Sequence, residues 1–203
     1  MKERFFYFAG AILFLHVATA SAFTVDESVD GDLSGIGPLP TELTLESGNN
    51  LLTGSMGGGV DFDIFRFTVP IELRVVSILV NDYPVGNAQS FLGIQSGDSW
   101  TAGIGFGVSG SSLLGWTLFG FNNLGQDILA SANTTGSGAS GFDVPLVAGN
   151  YVFLLQDTTD NINYGLNFVA SPVPLPASLP LFVAAVALLW RRNRGLDSVD
   201  SAA

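Results

Sequence analysis

The feature that most constrains the fold is the alternation of side chains at residues 64–69, in which Ile64, Arg66 and Thr68 share one face. Phe65, Phe67 and Val69 occupy one parity, polar side chains lie between them, and Pro70 ends the run. Side chains point alternately to the two faces of a β-strand. The pattern therefore predicts a strand whose phenylalanine face is buried.

Similar short apolar runs, bounded by glycine, asparagine or aspartate, recur along the chain. Extended segments are predicted at residues 43–45, 51–53, 73–80, 91–94, 104–108, 113–119, 151–156 and 162–169. Residues 47–50 are predicted to form a turn, and residues 157–161 a hairpin loop between the last two strands. Residues 41–170 are therefore predicted to be all-β, an antiparallel β-sandwich. Residues 23–40 are predicted to be mostly irregular, with room for one edge strand.

The N-terminus has the pattern of a secretory signal peptide, residues 1–22. Lys2 and Arg4 precede an apolar stretch, and Ala20 and Ala22 supply the small residues of a cleavage site. This order is typical of a segment that signal peptidase removes. An uncleaved anchor is the alternative, and both interpretations predict export across the inner membrane.

A second apolar segment lies near the C-terminus, at residues 179–190, after a proline-rich tether at 171–178. A helix rises about 1.5 Å per residue, so this segment is short for a hydrocarbon core of about 30 Å. It can insert when Trp190 lies at the interface and the arginines extend to the headgroups. We therefore predict a transmembrane helix that leaves residues 191–203 in the cytoplasm. A buried core helix is the alternative.

A short motif precedes this helix and a basic cluster follows it. The motif is Val173, Pro174, Leu175, Pro176 and Ala177, and the cluster is Arg191, Arg192 and Arg194. Over residues 173–203 this order resembles the PEP-CTERM class of bacterial sorting signals, in its V-P-L-P-A variant. The resemblance implies recognition by an exosortase-type membrane enzyme that processes the chain near the motif. The protein would then be anchored transiently and end at the cell surface or outside the cell.

The region between the two ends is strongly acidic. It contains 15 acidic side chains but only Arg66 and Arg74 as bases, a net charge of −13. Such a chain lacks the basic face that nucleic-acid binding needs, so that class of function is excluded. There is no cysteine. The fold must therefore be stabilised by burial, although an exported protein could form disulfides.

Two patches of the central region resemble bacterial pre-peptidase C-terminal (PPC) domains. Residues 61–70, D-F-D-I-F-R-F-T-V-P, are similar to the D-x-D-x-F/Y-x-F strand of that family. Residues 148–151 and 163–166, A-G-N-Y and N-Y-G-L, are similar to its closing hairpin. The resemblance implies a small jelly-roll-like sandwich that serves as an accessory module of secreted proteins. Some members of the family bind calcium.

Catalytic chemistry has few residues to use. The single histidine, His16, lies in the predicted signal peptide, and there is no cysteine. Serine triads, cysteine nucleophiles and histidine-ligated zinc are therefore excluded from the mature chain. A carboxylate-based hydrolase using Glu42, Glu46, Glu72 or an aspartate stays open, but no spacing singles out a pair. We predict that the protein is not an enzyme.

Calcium is the one cofactor that the residues suggest. Asp61 and Asp63 lie two residues apart at the start of a strand, and Asp157 and Asp160 lie in a loop that also contains asparagine. Carboxylate and amide oxygens are preferred by Ca²⁺, although the spacing does not match an EF-hand loop. The alternative is that these residues are ordinary turn formers.

The aromatic residues Trp100, Trp116, Phe119 and Phe121 are candidates for an exposed platform on which extracellular polysaccharide stacks, with the sandwich core as the alternative. The sequence as a whole predicts an exported, membrane-sorted, non-catalytic protein of the surface or extracellular matrix. The alternative is a calcium- or polysaccharide-binding β-sandwich module.

Overall fold

A computed structural model describes residues 22–86, 89–157 and 161–174, together with Phe182 and Val186. The strands in these residues are β1 (Thr24–Asp26), β2 (Thr41–Glu42), β3 (Gly48–Gly57), β4 (Phe62–Val69), β5 (Leu73–Asp82), β6 (Gln89–Ser96), β7 (Gly115–Gly120), β8 (Gly149–Gln156) and β9 (Asn161–Pro172). Two short helices, α1 (Glu27–Asp30) and α2 (Leu129–Ala132), accompany four 3₁₀ turns. The predicted all-β class is confirmed.

The strands form two sheets that enclose one core. The four-stranded sheet has the order β1-β3-β9-β5, and the five-stranded sheet has the order β2-β4-β8-β6-β7. The long neighbouring strands pair antiparallel, as predicted. At two edges this prediction was wrong, because β1 runs parallel to β3 and β2 runs parallel to β4. Each of these pairs is joined by a connection longer than the dozen or so residues that a parallel return needs.

The core between the sheets contains the alternating residues of the long strands. Phe65, Phe67 and Val69 of β4 are buried there, as predicted. Phe65 stacks on Phe153 of β8 with the ring centroids 5.1 Å apart. Phe168 of β9 meets the Phe153 ring edge-on from the opposite sheet. Such pairs contribute about 0.5–1.5 kcal/mol each beyond their burial. The Phe153–Phe168 pair therefore helps to hold the two sheets together, whereas the Phe65–Phe153 pair stabilises the five-stranded sheet.

A second, smaller core lies on the outer face of the five-stranded sheet. Ile64 and Leu154 point to this side, where Trp100 and Leu113 cover them. The Trp100 ring lies so close to Gly93 of β6 that a Cβ atom there would approach it to 2.7 Å. The glycine-rich middle of the chain is therefore a covering layer, which a pattern of alternating strands does not predict.

Three local predictions were wrong. β8 and β9 lie in different sheets and do not form a hairpin. Residues 104–108 contain a 3₁₀ turn at Gly105–Gly107 instead of a strand. The cause is Gly103 and Gly105, whose φ angles of 87° and 59° interrupt an extended backbone. The predicted turn at residues 47–50 is mostly strand, because β3 already pairs with β9 from Gly48.

At its end, β9 continues through the first residues of the predicted tether to Pro172. The Val173 N–H then donates to the Glu72 carbonyl at 2.8 Å. Phe182 and Val186 are helical. No helix within the described residues is long and apolar enough to cross a membrane. The predicted signal helix, and the predicted transmembrane helix apart from those two residues, lie outside the described part of the chain.

Candidate metal centre

Asp63 is a carboxylate on the core-facing side of β4. It shares the parity of Phe65 and Phe67, and its side chain is 0% exposed. Neither of its oxygens has a hydrogen-bond partner among the described residues. Burying a carboxylate without partners is strongly unfavourable, and buried polar groups are almost always satisfied. Packing alone therefore does not account for Asp63.

The N-terminal segment brings two more carboxylates to Asp63. One oxygen each of Glu27, Asp32 and Asp63, here called the acidic cluster, lie within 4.8 Å of one another. Glu27 Oε2 accepts a hydrogen bond from the Ser55 N–H of β3 at 2.7 Å, and Oε1 accepts one from the Leu33 N–H at 3.2 Å. These bonds hold the Glu27 carboxylate against β3 and against the loop that carries Asp32.

Gly54 of β3 leaves the space that the cluster occupies. A Cβ atom at this position would collide with Glu27 Oε2 and would lie 2.8 Å from the Tyr164 hydroxyl. Gly54 and Tyr164 face each other in the register of β3 and β9. The buried Tyr164 hydroxyl has no hydrogen-bond partner among the described residues. A larger residue at position 54 would therefore displace the carboxylate, the hydroxyl or both.

Burial and mutual repulsion disfavour negative charge in the cluster. Burial raises the pKa of Asp63 to about 9, and the charge of Glu27 is the second cause. Burial also raises the pKa of Glu27, against the lowering effect of its two backbone hydrogen bonds. The pKa of Tyr164 lies well above its ordinary value, first through burial and then through the charge of Asp63. Without a counter-charge, Asp63 is therefore protonated at neutral pH.

Basic side chains do not supply that counter-charge within the described residues. The salt bridges there both belong to Arg66, which contacts Glu42 at 2.8 Å and Asp98 at 3.4 Å. A bound cation would neutralise the acidic cluster, because a metal ion is usually the largest charge in its own site and reverses the local pKa shifts.

The acidic cluster fits a hard divalent cation of the Ca²⁺ type. Calcium takes six to eight oxygen ligands at about 2.3–2.6 Å, so two of its ligands lie at most about 5 Å apart. The 4.8 Å limit on the cluster oxygens meets this condition. An open cleft of about 590 Å³, lined in part by Glu27, Asp32 and Tyr164, leaves room for water ligands. Glu27, Asp32 and Asp63 are the residues that would hold the ion.

The calcium ligands predicted from the sequence do not all belong to the acidic cluster. Asp63 belongs to the acidic cluster, and Asp61 lies just before β4, where burial and then the charge of Asp32 raise its pKa. Asp157 follows β8 and accepts a hydrogen bond from Ser90 Oγ at 3.3 Å. Asp160 lies outside the described residues.

Sequence reasoning missed Glu27 and Asp32. Both lie in the segment predicted to be irregular, and no spacing relates them to β4. A signal for Asp63 was present, because its parity with Phe65 places a carboxylate on the core face, where unpaired charges are rare. Among the glutamates considered for hydrolysis, Glu42 instead forms the salt bridge to Arg66.

The four aromatic residues considered as a platform do not form one surface. Trp100 and Phe119 are buried in the outer and inner cores, which confirms the core alternative for these two. Trp116 and Phe121 are half-buried.

The sorting and cleavage residues lie mostly outside the described part of the chain. Val173 and Pro174 follow β9, and Ala22 precedes β1. The remaining ones, outside the described residues, are Ala20, Leu175, Pro176, Ala177, Arg191, Arg192 and Arg194. Their roles stay predictions.

No family model matches the chain, and neither a curated protein nor a solved structure matches it.

Proposed function

We propose that this protein is an exported, non-catalytic protein of the cell surface or extracellular matrix whose β-sandwich binds a calcium ion at Glu27, Asp32 and Asp63. The observation that carries the calcium proposal is Asp63, which is fully buried, has no hydrogen-bond partner among the described residues for either oxygen, and has two carboxylates close by. A carboxylate in such a position is stable when charge of opposite sign accompanies it.

The ion has a structural role in this proposal. Glu27 is hydrogen-bonded to β3 of the four-stranded sheet, whereas Asp63 belongs to β4 of the five-stranded sheet. A cation shared by these carboxylates joins the two sheets and attaches the N-terminal segment to both. Calcium, which is abundant outside cells, then stabilises the domain after export.

Export and sorting are supported by the sequence. The signal peptide at residues 1–22 directs export, and the motif at 173–177 with its apolar segment and arginines directs membrane sorting by an exosortase-type enzyme. The mass of the exported protein tests this part. We expect loss of residues 1–22 and of a C-terminal piece that begins near the motif, and retention of both ends would contradict it.

A carboxylate-based hydrolase is the competing function for the same cluster. The raised pKa of Asp63 suits a general acid. A general acid must, however, come within hydrogen-bond reach of the bond it protonates. Asp63 is 0% exposed, so a glycosidic oxygen does not reach it in this conformation. Cation binding therefore accounts for the geometry better than hydrolysis.

Thermal unfolding of the purified full-length protein in EDTA and in CaCl₂ tests the calcium site. At a calcium concentration about 100 times Kd, binding adds about 2.7 kcal/mol of stability. This corresponds to a rise in Tm of about 5–10 °C for a domain of this size. Asp63→Asn should lose the rise, whereas the matched control Asp143→Asn, at an exposed position, should keep it. An equal rise in both variants, or none in the parent protein, would refute the site.

A further inference from the structure

Phe106 is almost completely exposed on a turn that is held in place. It is 94% exposed at the centre of the 3₁₀ turn Gly105–Gly107. The Gly105 N–H donates to Gln156 Oε1 at 2.8 Å, and Gln156 Nε2 donates to the Gly105 carbonyl at 3.1 Å. Gln156 itself is buried. A buried amide thus fixes a large apolar ring in water, which packing does not explain.

Phe106 forms part of a groove on the outer face of the five-stranded sheet. The groove has two parts, of about 250 Å³ and about 160 Å³, and Phe91 and Val108 line both. Each part alone is smaller than the usual small-molecule site of about 300–1,000 Å³, and the two parts lie side by side across Phe91 and Val108. The apolar side chains that line this aromatic groove are Phe91, Phe106, Val108, Leu113, Trp116 and Leu118.

The groove contains a stacked pair of aromatic rings. Phe91 and Trp116 lie with their centroids 6.0 Å apart and their planes at 21°. The Trp116 indole N–H donates to the Gly136 carbonyl at 3.1 Å, which fixes the ring. A Cβ atom on Gly93 would come within 2.7 Å of the Phe91 ring, so the glycine lets that ring lie close to the sheet. Both rings are half-buried, so part of each stays accessible from the groove.

Backbone strain is localised at the wall of the same groove. Among the described residues, Ser137 is the one non-glycine residue with a left-handed φ, 57°. It lines the groove together with Trp116. Gly110 allows this conformation, because a Cβ atom there would collide with the Ser137 carbonyl. Strain of this kind is found preferentially at ligand sites.

The polar groups of the groove are neutral apart from one carboxylate. Gln89, Gln156 and Ser137 line it, and Asp157 is its one charged lining residue among those described. Arg66 lies elsewhere, opposite Val152 in the register of β4 and β8. An anionic polymer or lipid headgroup would therefore meet no positive charge on the described lining residues, whereas a neutral, hydroxyl-rich ligand finds amide and hydroxyl partners.

We propose that the aromatic groove binds a neutral polysaccharide chain. The C–H faces of pyranose rings carry partial positive charge and match the negative faces of Phe91 and Trp116. Phe106 packs against the neighbouring sugar unit, so a ligand of at least two units spans both parts of the groove. No residue of the acidic cluster lines the groove. This site is therefore independent of the proposed calcium site.

Binding of three neutral probes to the purified full-length protein tests the groove: hydroxyethylcellulose in affinity electrophoresis, and cellohexaose and chitohexaose by calorimetry. We expect at least one probe to bind and Phe106→Ser to weaken it by on the order of tenfold, as for loss of one buried aromatic contact. Because Phe106 is exposed, its replacement should not disturb folding. The matched control is Ile71→Ser, 83% exposed in the turn between β4 and β5.

Asp63→Asn separates the two sites, because it should lose the calcium effect and keep glycan binding. Binding of none of the three probes, or equal binding by Phe106→Ser, would overturn the proposal. If no glycan probe binds, two results would assign the groove to another ligand. One is self-association that Phe106→Ser abolishes, which assigns the groove to a second copy of the chain. The other is Phe106-dependent binding to phosphatidylcholine vesicles, which assigns it to lipid.

Discussion

Asp63 and Asp157 are buried carboxylates at adjoining strand ends, but their surroundings are opposite. Their side chains are 0% and 4% exposed. Asp157 accepts a hydrogen bond from Ser90 Oγ, which meets the Tyr83 hydroxyl at 2.7 Å. Neither oxygen of Asp63 has a partner within hydrogen-bond distance among the described residues, although the nearby Tyr164 hydroxyl lowers its pKa, and Asp63 lies beside the carboxylates of Glu27 and Asp32. Burial alone therefore does not indicate a metal ligand. A carboxylate that is buried beside other carboxylates, with no hydrogen-bond partner, does indicate a metal ligand.

The largest expected effect is a pH dependence of metal-free stability that comes from Asp63. Its pKa is about 9 in the folded protein against an ordinary value of 3.8. Between these values the folded state retains a proton that the unfolded state releases, so the free energy of unfolding falls as pH rises. From about pH 4 to about pH 9 the fall is on the order of 5 kcal/mol.

Urea unfolding in EDTA over that pH range measures this dependence. Asp63→Asn should flatten the profile because the amide does not titrate, whereas Asp157→Asn should leave the slope in place. A parent protein with the same slope as Asp63→Asn would show that Asp63 ionises without cost, and the contrast between the two carboxylates would disappear.

The second prediction is that the same substitution has opposite signs at the two positions. At pH 8 in EDTA, Asp63→Asn should raise the free energy of unfolding, because the folded parent must keep Asp63 protonated at a pH where the unfolded chain has released that proton. The amide does not titrate, so it removes this cost. Asp157→Asn should lower it by about 1–3 kcal/mol, because it disturbs a buried hydrogen-bonded group. Equilibrium unfolding of the two variants under one condition decides this, and destabilisation by both would contradict it.

The sequence predicts part of this contrast. Alternation in β4 places Asp63 on the face of Phe65, and the local pattern predicts most of the long strands. The cluster itself depends on β1 pairing with β3 and on Glu27 reaching Ser55. Those contacts join residues far apart in the chain, where periodicity carries no information. The sequence therefore does not show that Asp157 accepts a hydrogen bond whereas Asp63 has no such partner among the described residues.

The same limit applies to the aromatic residues. Composition alone does not distinguish Trp100, which closes the outer core, from Trp116, which lines the groove. The distinction arises from the covering layer, whose path depends on glycine conformations at Gly103 and Gly105. A pattern of alternating side chains does not predict such a layer. The sequence therefore predicted the strands better than the acidic cluster and the aromatic groove.

A third, smaller effect is expected from Gly54→Ala, which tests the space around the acidic cluster. The added methyl group would displace Glu27 or the Tyr164 hydroxyl. We expect a loss of about 1–3 kcal/mol of stability, as for other overpacking changes, and weaker calcium binding. Gly107→Ala is the matched control, because a Cβ atom there meets nothing within 4 Å. Calcium titration of both variants measures the effect, and equal affinities would argue against a site beside Gly54.

The smallest effect is expected from Tyr164→Phe, compared with Tyr83→Phe. The Tyr83 hydroxyl meets Ser90 Oγ at 2.7 Å, so its removal should cost about 0.5–1.5 kcal/mol. The Tyr164 hydroxyl has no hydrogen-bond partner among the described residues, so its removal in EDTA should change stability by less than about 0.5 kcal/mol. Chemical unfolding of the two variants gives both values. Equal costs would mean that Tyr164 supports Asp63 as Ser90 supports Asp157, and a buried carboxylate with such a donor would no longer need a cation.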